Sequence, residues 1–289
     1  FERVGAMRAE YPLLILFGLN AVDELDRTAF GVLLPNIQEA FGLDLSGILT
    51  VVAVVFGIAL ALQVPVAHFA DRTNRVRLAI AGSLVMAVFS FGTGLATAVW
   101  MLYIARCGSA LGKTTIDPTH NSLLADYYAP EHRPRVYSFH RAANTLGQFL
   151  GPIIGGVVAF YFGWQAPFFL FAIPIVILAV LAFKLPEPIR GAQERRLMGS
   201  SEDVINTEEP PPSFAEGWRM VRKVQTLRRM YYALPFLAAA LIGFATLGAL
   251  KYQELGLNEA ERGFAAAAAE PFAFLGLYLG ARIGTRLMQ

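Results

Sequence analysis

Four long apolar runs without a charged residue limit what this sequence can fold into. They cover residues 48–67, 78–105, 142–183 and 230–250. A helix needs ~20 residues to cross the ~30 Å hydrocarbon core of a bilayer, and each run supplies at least that number. A mean hydropathy of +0.49 agrees with this. The sequence therefore predicts an all-α polytopic membrane protein, and not a large soluble protein with buried helices.

Eight membrane spans are predicted from these runs and from the apolar stretches beside them. They lie at residues 12–35, 47–68, 78–96, 99–125, 136–160, 165–184, 231–251 and 262–282. The sequence opens on Phe1 without an initiator Met and stops at Gln289, shortly after the eighth span. We therefore expect the chain to be the front part of a longer protein.

The basic residues outside the predicted spans are concentrated in alternate loops, and so on one side of the membrane. They occur at the N-terminus, in the loops after spans 2 and 4, and in the long segment after span 6: Arg3, Arg8, Arg72, Arg75, Arg77, Arg133, Arg135 and nine more within residues 184–229. The loops at 36–47, 97–99 and 162–166 carry none. Because cytoplasmic loops are enriched in Lys and Arg, we expect a cytoplasmic N-terminus in a plasma or inner membrane.

The chain divides into three predicted segments. Residues 1–184 form a six-helix bundle, residues 185–230 a cytoplasmic linker, and residues 231–289 the first two helices of an incomplete second bundle. The end of the linker, from Trp218 to Arg229, alternates apolar and basic residues. This pattern fits a basic amphipathic helix on the anionic inner leaflet, and equally a solvated helix packed on the bundle.

The first span carries four charged residues, Asp23, Glu24, Asp26 and Arg27. Each costs ~2.5–3.5 kcal/mol at the centre of a membrane helix, so most must face protein or water. Helical spacing places one polar stripe on a single face, made of Asn20, Asp23, Glu24, Arg27 and Gly31. Asp23 and Arg27 are four residues apart and can pair. Asp26 lies off the stripe, toward a neighbouring helix.

Spans 4 and 5 repeat this arrangement. Their polar faces consist of Arg106, Ser109, Lys113, Asp117 and His120 in span 4, and of Tyr137, Arg141, Asn144 and Gln148 in span 5. Lys113 and Asp117 are also four residues apart. Three such stripes most simply meet around a wet cavity, and the alternative is that these groups only hold helices in register. The following glycines, Gly147, Gly151, Gly155 and Gly156 around Pro152, are typical of close helix contacts.

These residues carry a resemblance to the major facilitator superfamily over essentially the whole chain. The loop after span 2 has Asp71, Arg72 and Arg75 at the positions of the family's cytoplasmic latch motif, with Ala67 and Asn74 at positions where the family usually has glycine. Residues 280–286 look like a degraded second copy. The resemblance implies two six-helix halves, of which this chain holds the first and part of the second, and a latch in which Asp71 caps and pairs while the arginines clamp acidic partners.

Three further motifs refine the resemblance. Residues 147–156 match the Gly-x-x-x-Gly-Pro-x-x-Gly-Gly antiporter signature at every defined position. Arg106 heads a run similar to a span 4 signature in which the arginine is linked to proton coupling. Asp26, Thr28 and Pro35 match a span 1 pattern of drug–proton antiporters. Span 1 also looks like the spinster group of lipid carriers, whose acidic residue in span 4 corresponds to Ala110 here.

The resemblance implies proton-coupled export of a small amphipathic compound by alternating access. The proton-accepting carboxylate would be Asp26, Asp23 or Asp117, with Arg27, Arg106 and Lys113 beside it. A lipid or nutrient carrier without proton coupling stays open, as does a membrane domain that acts only within a larger sensor or fused transporter. The expected partners are the substrate, protons and the lipid bilayer, without nucleic acid.

Enzymatic chemistry has little support in the sequence. The four histidines, His68, His120, His132 and His140, lack metal-ligand spacing, and no serine lies in a nucleophile turn. Cys107 is the single cysteine, which excludes an internal disulfide. We therefore expect no enzyme, no cofactor and no metal.

Overall fold

The computed structural model of the chain describes residues 10–207, 212–272 and 275, and within them it is built of helices without a strand. The helices that form the first six predicted spans are α1 Glu10–Val32, α2 Leu34–Ala40, α3 Leu45–Ala70, α4 Arg75–Gly94, α5 Val99–Lys113, α6 Ile116–Tyr127, α7 Arg133–Phe162 and α8 Ala166–Ala182. The helices that follow are α9 Ala192–Leu197, α10 Glu202–Ile205, α11 Phe214–Lys223, α12 Gln225–Glu254 and α13 Glu259–Ala267.

Four of these helices are long and apolar enough to cross a membrane by length and composition, among the residues described. They are α3, α4, α7 and α12, and the apolar helix α8 is somewhat shorter. α8 buries Phe168 and Ile175 in the bundle while it exposes Ile173, Ile177 and Val180. A helix that is apolar on its exposed face as well suits a lipid environment. The predicted multi-pass helical architecture is therefore confirmed.

Two predicted spans are each divided into two helices. Span 1 consists of α1 and α2, which meet at Leu33, and Pro35 lies in the first turn of α2, where its missing N–H is not needed. Span 4 consists of α5 and α6, separated at Thr114 and Thr115. The hydroxyls of both threonines bond back to carbonyls of the preceding turn, Leu111 and Gly112. This break changes which charged groups of span 4 lie near one another.

The first helix lies at the centre of the bundle. α1 packs mainly against α7 and α8, while α4 packs against α5 and α8. Three apolar clusters fill the interior, around Leu16 and Leu123, around Leu33 and Phe168, and around Ile175. The charged residues of α1 are thus carried on a helix that other helices surround.

The predicted linker contains the three short helices α9, α10 and α11. α11 begins with a capping box between Ser213 and Glu216 and ends at Lys223. Val224 is extended, and α12 begins directly after it, so the basic stretch predicted as one helix belongs to two. None of the α11 side chains is buried. Whether α11 lies on a bilayer stays a prediction.

Three predicted features fall wholly or partly outside the described residues. These are Arg3 and Arg8 of the N-terminus, the second latch copy at 280–286, and the end of the eighth span, of which the structure describes residues 262–272 and 275.

Candidate functional site

A cavity of about 460 Å³ opens between the helices where the polar stripes of spans 1, 4 and 5 meet. Its polar lining comes mainly from α1, α5, α6 and α7, through Asn20, Asp23, Glu24, Asp26, Arg27, Arg106, Ser109, Lys113, Asp117 and Asn144. Its apolar wall comes mainly from α3 and α12, through Val52, Val55, Phe56, Ala59, Leu60, Ile242 and Ala245. The structure therefore brings most of the candidate residues into one amphipathic space.

Glu24 lies at the centre of the polar side and accepts hydrogen bonds from three helices. Arg27 Nε donates to Glu24 Oε2 at 2.9 Å, and Arg27 Nη2 donates to Oε1. Lys113 Nζ, from α5, lies 3.5 Å from Oε2, and Gln148 Nε2, from α7, donates to Oε1 at 3.0 Å. We call Arg27, Lys113 and Gln148 the donor triad. Together they hold one carboxylate by both of its oxygens.

The ion pairs differ from the pairs that sequence spacing suggested. Asp23 pairs with Lys113, at 2.6 Å, and not with Arg27, which pairs with Glu24. Asp117 pairs with Arg141 of α7 at 3.2 Å, and not with Lys113. The break at Thr114 and Thr115 explains why Lys113 and Asp117 do not pair, because Lys113 ends α5 while Asp117 lies in the first turn of α6. The four-residue spacing of a continuous helix does not apply there.

Exposure differs sharply between the acidic and basic members of this cluster. The side chains of Asp23 and Glu24 are 4% and 5% exposed, whereas that of Lys113 is 34% exposed. The side chain of Arg27 is 47% exposed. Both cations line the cavity. Around Glu24, a solute therefore meets cations with two carboxylates behind them, while Asp117, 58% exposed and paired with Arg141, lines another part of the cavity.

Asp26 points away from this cluster, toward α4 and α5. Arg106 Nη1 donates to Asp26 Oδ2 at 3.0 Å, and the Ser90 hydroxyl donates to Oδ1. The Arg106 guanidinium also lies 4.1 Å from the centroid of the Phe30 ring. Asp26 and Arg106 are 2% and 6% exposed. The prediction that Asp26 faces a neighbouring helix is confirmed, and Arg106 is its partner.

The two histidines of spans 4 and 5 form a contact behind the cavity. His120, predicted on the polar face of span 4, is fully buried, and its Nδ1 lies 3.2 Å from His140 Nε2. On the cavity side, Asn20 Nδ2 donates to Asn144 Oδ1 at 2.9 Å and to the His140 carbonyl at 3.3 Å. His120 therefore does not line the cavity with the rest of the predicted polar face, and sequence spacing gave no signal for its partner.

The glycines of α7 allow close packing on two sides. A Cβ atom at Gly147 would lie 2.5 Å from Glu24 Cβ, at Gly151 2.0 Å from Thr28 Oγ1, and at Gly155 2.6 Å from Ala29 Cβ, all on α1. At Gly156 it would lie 2.3 Å from the Glu259 carbonyl of α13. Across the same contact, the Pro152 carbonyl oxygen would lie 2.2 Å from a Cβ at Gly263. Any side chain larger than glycine would separate these helices.

Arg75, the third latch residue, is buried at the opposite end of the bundle. Its guanidinium donates to Asp126 of α6 and to Glu187 of the linker, the latter at 2.8 Å, and to the Ser122 hydroxyl at 2.7 Å. Arg75 is 1% exposed. The implied clamp on acidic partners is present, although sequence reasoning did not identify Asp126 or Glu187.

The other two latch residues lie nearer the surface. Arg72 donates to the Pro212 carbonyl at 2.5 Å. Asp71, whose side chain is 63% exposed, approaches Arg190 only to 3.9 Å. Asp71 ends α3 and does not cap α4, because the side chain of Asn74 accepts the N-cap hydrogen bond of that helix from the Arg77 amide. The capping role that the resemblance implied for Asp71 is therefore carried by Asn74.

The helices and the amphipathic cavity together define a polytopic membrane protein with the architecture of a carrier. The chain belongs to the Major Facilitator Superfamily, whose sequence profile matches residues 16–289. This is a family of integral membrane transporters and not of enzymes, as the sequence predicted.

Individual relatives are distant. A probable L-galactonate transporter of Escherichia coli (strain K12) is 24% identical over 222 residues, which are 74% of this chain and 48% of that protein. The multidrug export protein EmrB of Haemophilus influenzae is 29% identical over 182 residues, 63% of this chain and 35% of that protein. The chain spans about half the length of these curated relatives, or less.

A solved structure shares the fold. It is the crystal structure of a bacterial homologue of the human lysosomal transporter Spinster, in an inward-facing and unoccupied conformation. It superposes on this chain with a TM-score of 0.74 at 21% sequence identity, and the match covers 96% of this chain and 63% of that chain.

Proposed function

We propose that this chain forms part of a proton-coupled secondary transporter, which moves a small amphipathic compound across the cell membrane by alternating access. The observation that carries the proposal is the cavity itself. It combines an apolar wall with an ionisable cluster in which Asp23 and Glu24 contact Lys113 and Arg27. Ionisable groups inside membrane helices are costly, and they are typical of substrate and proton pathways.

The contacts between the two parts of the chain fit alternating access. α7 and α13 pack closely through Gly156 and Gly263, at the end of α7 that lies away from Arg133. At the opposite end, the basic loops contact the linker, as in the pair between Arg133 and Glu194. With the predicted cytoplasmic linker, the α7–α13 contact lies on the outer side of the membrane. Movement about this contact would then expose the cavity to the outside.

The proton site that we propose is the pair Asp23 and Glu24, since both carboxylates belong to the cluster that lines the cavity. Opposite charges nearby favour the charged form of a carboxylate, and loss of a cationic partner favours proton uptake. A solute that competes for Lys113 or Arg27 would therefore couple its own binding to a proton on this pair. Asp26, which sequence reasoning ranked beside them, is engaged by Arg106 and Ser90, and we assign it a role in holding helices together.

The direction of transport has two candidates. The antiporter signature of α7 and the likeness to EmrB favour export. The cationic surface around Glu24 favours a second candidate, proton-linked uptake of a nutrient, and the relative named for L-galactonate agrees with it. Both candidates require that the substrate and a proton bind in the same cavity.

The test uses the full-length gene product in proteoliposomes that contain a pH-sensitive dye. Candidate amphiphiles of positive, neutral and negative charge are added under an imposed pH gradient, with the native protein and with Glu24→Gln. Glu254→Gln is the matched control, because Glu254 is exposed and pairs only with Lys251 on the surface of α12, within the described residues.

Proton flux that depends on an added compound, is abolished in Glu24→Gln and persists in Glu254→Gln is the expected result. Opposite movement of proton and substrate supports the antiporter candidate for export, and movement in the same direction supports proton-linked uptake. If substrate moves equally well without any proton flux, the coupling is wrong. If no compound of any charge moves while the native protein is folded in the liposomes, the transport proposal itself fails.

A further inference from the structure

The donor triad already binds a carboxylate, namely that of Glu24. Arg27 reaches both of its oxygens, Lys113 approaches one of them and Gln148 donates to the other. Arg27 and Lys113 expose 47% and 34% of their side chains, whereas Glu24 exposes 5%. A site with these donors recognises the chemistry of a carboxylate, because planar bidentate contacts from arginine match its two oxygens.

A cationic solute finds no comparable partner in this cluster. Asp23 is held by Lys113 at 2.6 Å, and Asp26 is held by Arg106 and Ser90. To reach either carboxylate, a cation would have to displace a resident one, and both carboxylates are nearly inaccessible. Asp117 also lines the cavity and its side chain is 58% exposed, but it pairs with Arg141 of α7 at 3.2 Å and lies outside the cluster around Glu24.

An apolar wall faces the donor triad across the cavity. Val55, Phe56 and Leu60 of α3 contribute to it, together with Ile242 of α12. Cavities of this kind hold an apolar ligand body while a few polar groups fix its orientation. A ligand that satisfies both sides has one anionic end and one apolar end.

We propose that the substrate of this cavity is an amphipathic organic monoanion, whose carboxylate takes the place of the Glu24 carboxylate on Arg27, Lys113 and Gln148. The inference rests on the proposed function and adds to it the chemical class of the substrate. The apolar body of the anion lies against α3 and α12.

Replacement of the Glu24 carboxylate by the substrate carboxylate also determines the direction in which the proton moves relative to the substrate. The groups around Glu24 are Asp23 and Arg27 on the same helix, Lys113 on α5, Gln148 on α7 and Glu270 beyond α13, which interacts electrostatically with Glu24 and Arg27. An arriving anion adds a negative charge to three carboxylates and two cations, and it removes the donors that stabilise the charge of Glu24. Glu24 then takes up a proton, so the anion and the proton bind together and move in the same direction.

The binding test uses the purified full-length gene product and three probes with the same aromatic body: phenylacetate, phenylacetamide and phenethylamine. Thermal unfolding is followed for the native protein, for Arg27→Gln and for Lys113→Met, with Lys113→Arg as the variant that retains the charge. Lys251→Met is the matched control, because the Lys251 side chain is 65% exposed and pairs with Glu254 outside the cavity.

Phenylacetate at saturating concentration is expected to raise the unfolding midpoint of the native protein by about 2–4 °C, while the amide and the amine leave it unchanged. The shift should vanish in Arg27→Gln and Lys113→Met and persist in Lys113→Arg and Lys251→Met. An equal shift with the amide, a larger one with the amine, or no shift with any probe would overturn the anion assignment.

Proton flux in proteoliposomes, corrected for protein-free liposomes, distinguishes this inference from the function on which it rests. Inward flux of protons with phenylacetate supports both. Flux with phenethylamine alone leaves proton-coupled transport standing and rejects the anion. Binding of phenylacetate without any proton flux leaves the anion site standing and rejects the proton coupling.

Discussion

Two acidic groups on the first helix, only three residues apart, have opposite surroundings. Asp26 faces α4 and α5, where it is closed off by Arg106, Ser90 and the ring of Phe30. Asp23 lies beside the cavity and pairs with Lys113, a third of whose side chain is exposed. Both are ion pairs between α1 and α5. A solute in the cavity can reach Lys113, whereas Arg106 is almost completely buried.

This difference separates two uses of charge in one membrane bundle. We call Asp26 and Arg106 the sealed pair, and the cluster of Asp23, Glu24, Arg27 and Lys113 the open cluster. In a sealed pair, the cost of removing both ions from water is offset only while both partners are present. Such a pair fixes helices relative to one another. In an open pair, water and solutes can replace either partner, so the pair is available for exchange. The sealed pair is therefore expected to govern stability, and the open cluster is expected to govern binding.

The strongest test of this division is Asp26→Leu in the full-length gene product. It leaves the buried Arg106 guanidinium without its carboxylate, and we expect a loss of about 3–5 kcal/mol in the free energy of unfolding. Thermal unfolding of the purified protein measures it. The double variant Asp26→Leu with Arg106→Leu should recover most of the loss, because no unpaired charge is left. A single variant as stable as the native protein would contradict the sealed-pair assignment.

The second test extends the comparison to the latch, through Arg75→Gln and Arg72→Gln. Arg75 is 1% exposed and binds Asp126 and Glu187. Its loss is expected to cost about 3 kcal/mol, since it leaves Asp126 buried without its cation. Arg72 is exposed and is expected to contribute less than about 1 kcal/mol. Equal effects on the unfolding midpoint would mean that burial does not determine how much each of these latch residues contributes to the free energy of unfolding.

The third test compares a glycine in close contact with a neighbouring helix and a glycine with free space around it. At Gly151 of α7 a Cβ atom would lie 2.0 Å from Thr28 Oγ1, whereas at Gly57 of α3 it would meet nothing within 4 Å. Gly151→Ala is expected to destabilise the protein by about 1–3 kcal/mol through overpacking. Gly57→Ala is expected to stabilise it by about 0.5–1 kcal/mol, because alanine favours a helix. The two unfolding midpoints should therefore move in opposite directions, and a shared direction would count against close packing of α7 on α1.

Sequence patterns predicted the helices and the shared polar face of this bundle well. Uninterrupted apolar runs are long enough to specify membrane helices, and a period of 3.6 residues placed Asp23, Glu24 and Arg27 on one face. The same spacing placed Asp26 toward a neighbour, as found. These features depend on local geometry alone, so a single sequence contains them.

The partners of the charged groups could not be predicted in the same way. Lys113 binds Asp23 and Glu24, which lie about ninety residues earlier in the chain, through the packing of α5 beside α1. Asp126 and Glu187 join Arg75 through the docking of α6 and the linker. Such contacts depend on how helices pack, and one sequence holds no record of that packing.

A small effect on stability is also expected from Arg27→Gln, in the residue next to Asp26. The Arg27 side chain is 47% exposed, and Glu24 keeps Lys113 and Gln148 as partners. We therefore expect a change of no more than about 1 kcal/mol in the free energy of unfolding, measured beside Asp26→Leu under the same conditions. If Arg27→Gln instead destabilised the protein as much as Asp26→Leu, the open cluster would contribute to the stability of the fold as much as the sealed pair does. A stable variant that no longer binds phenylacetate would establish that neighbouring charges on one helix serve different purposes.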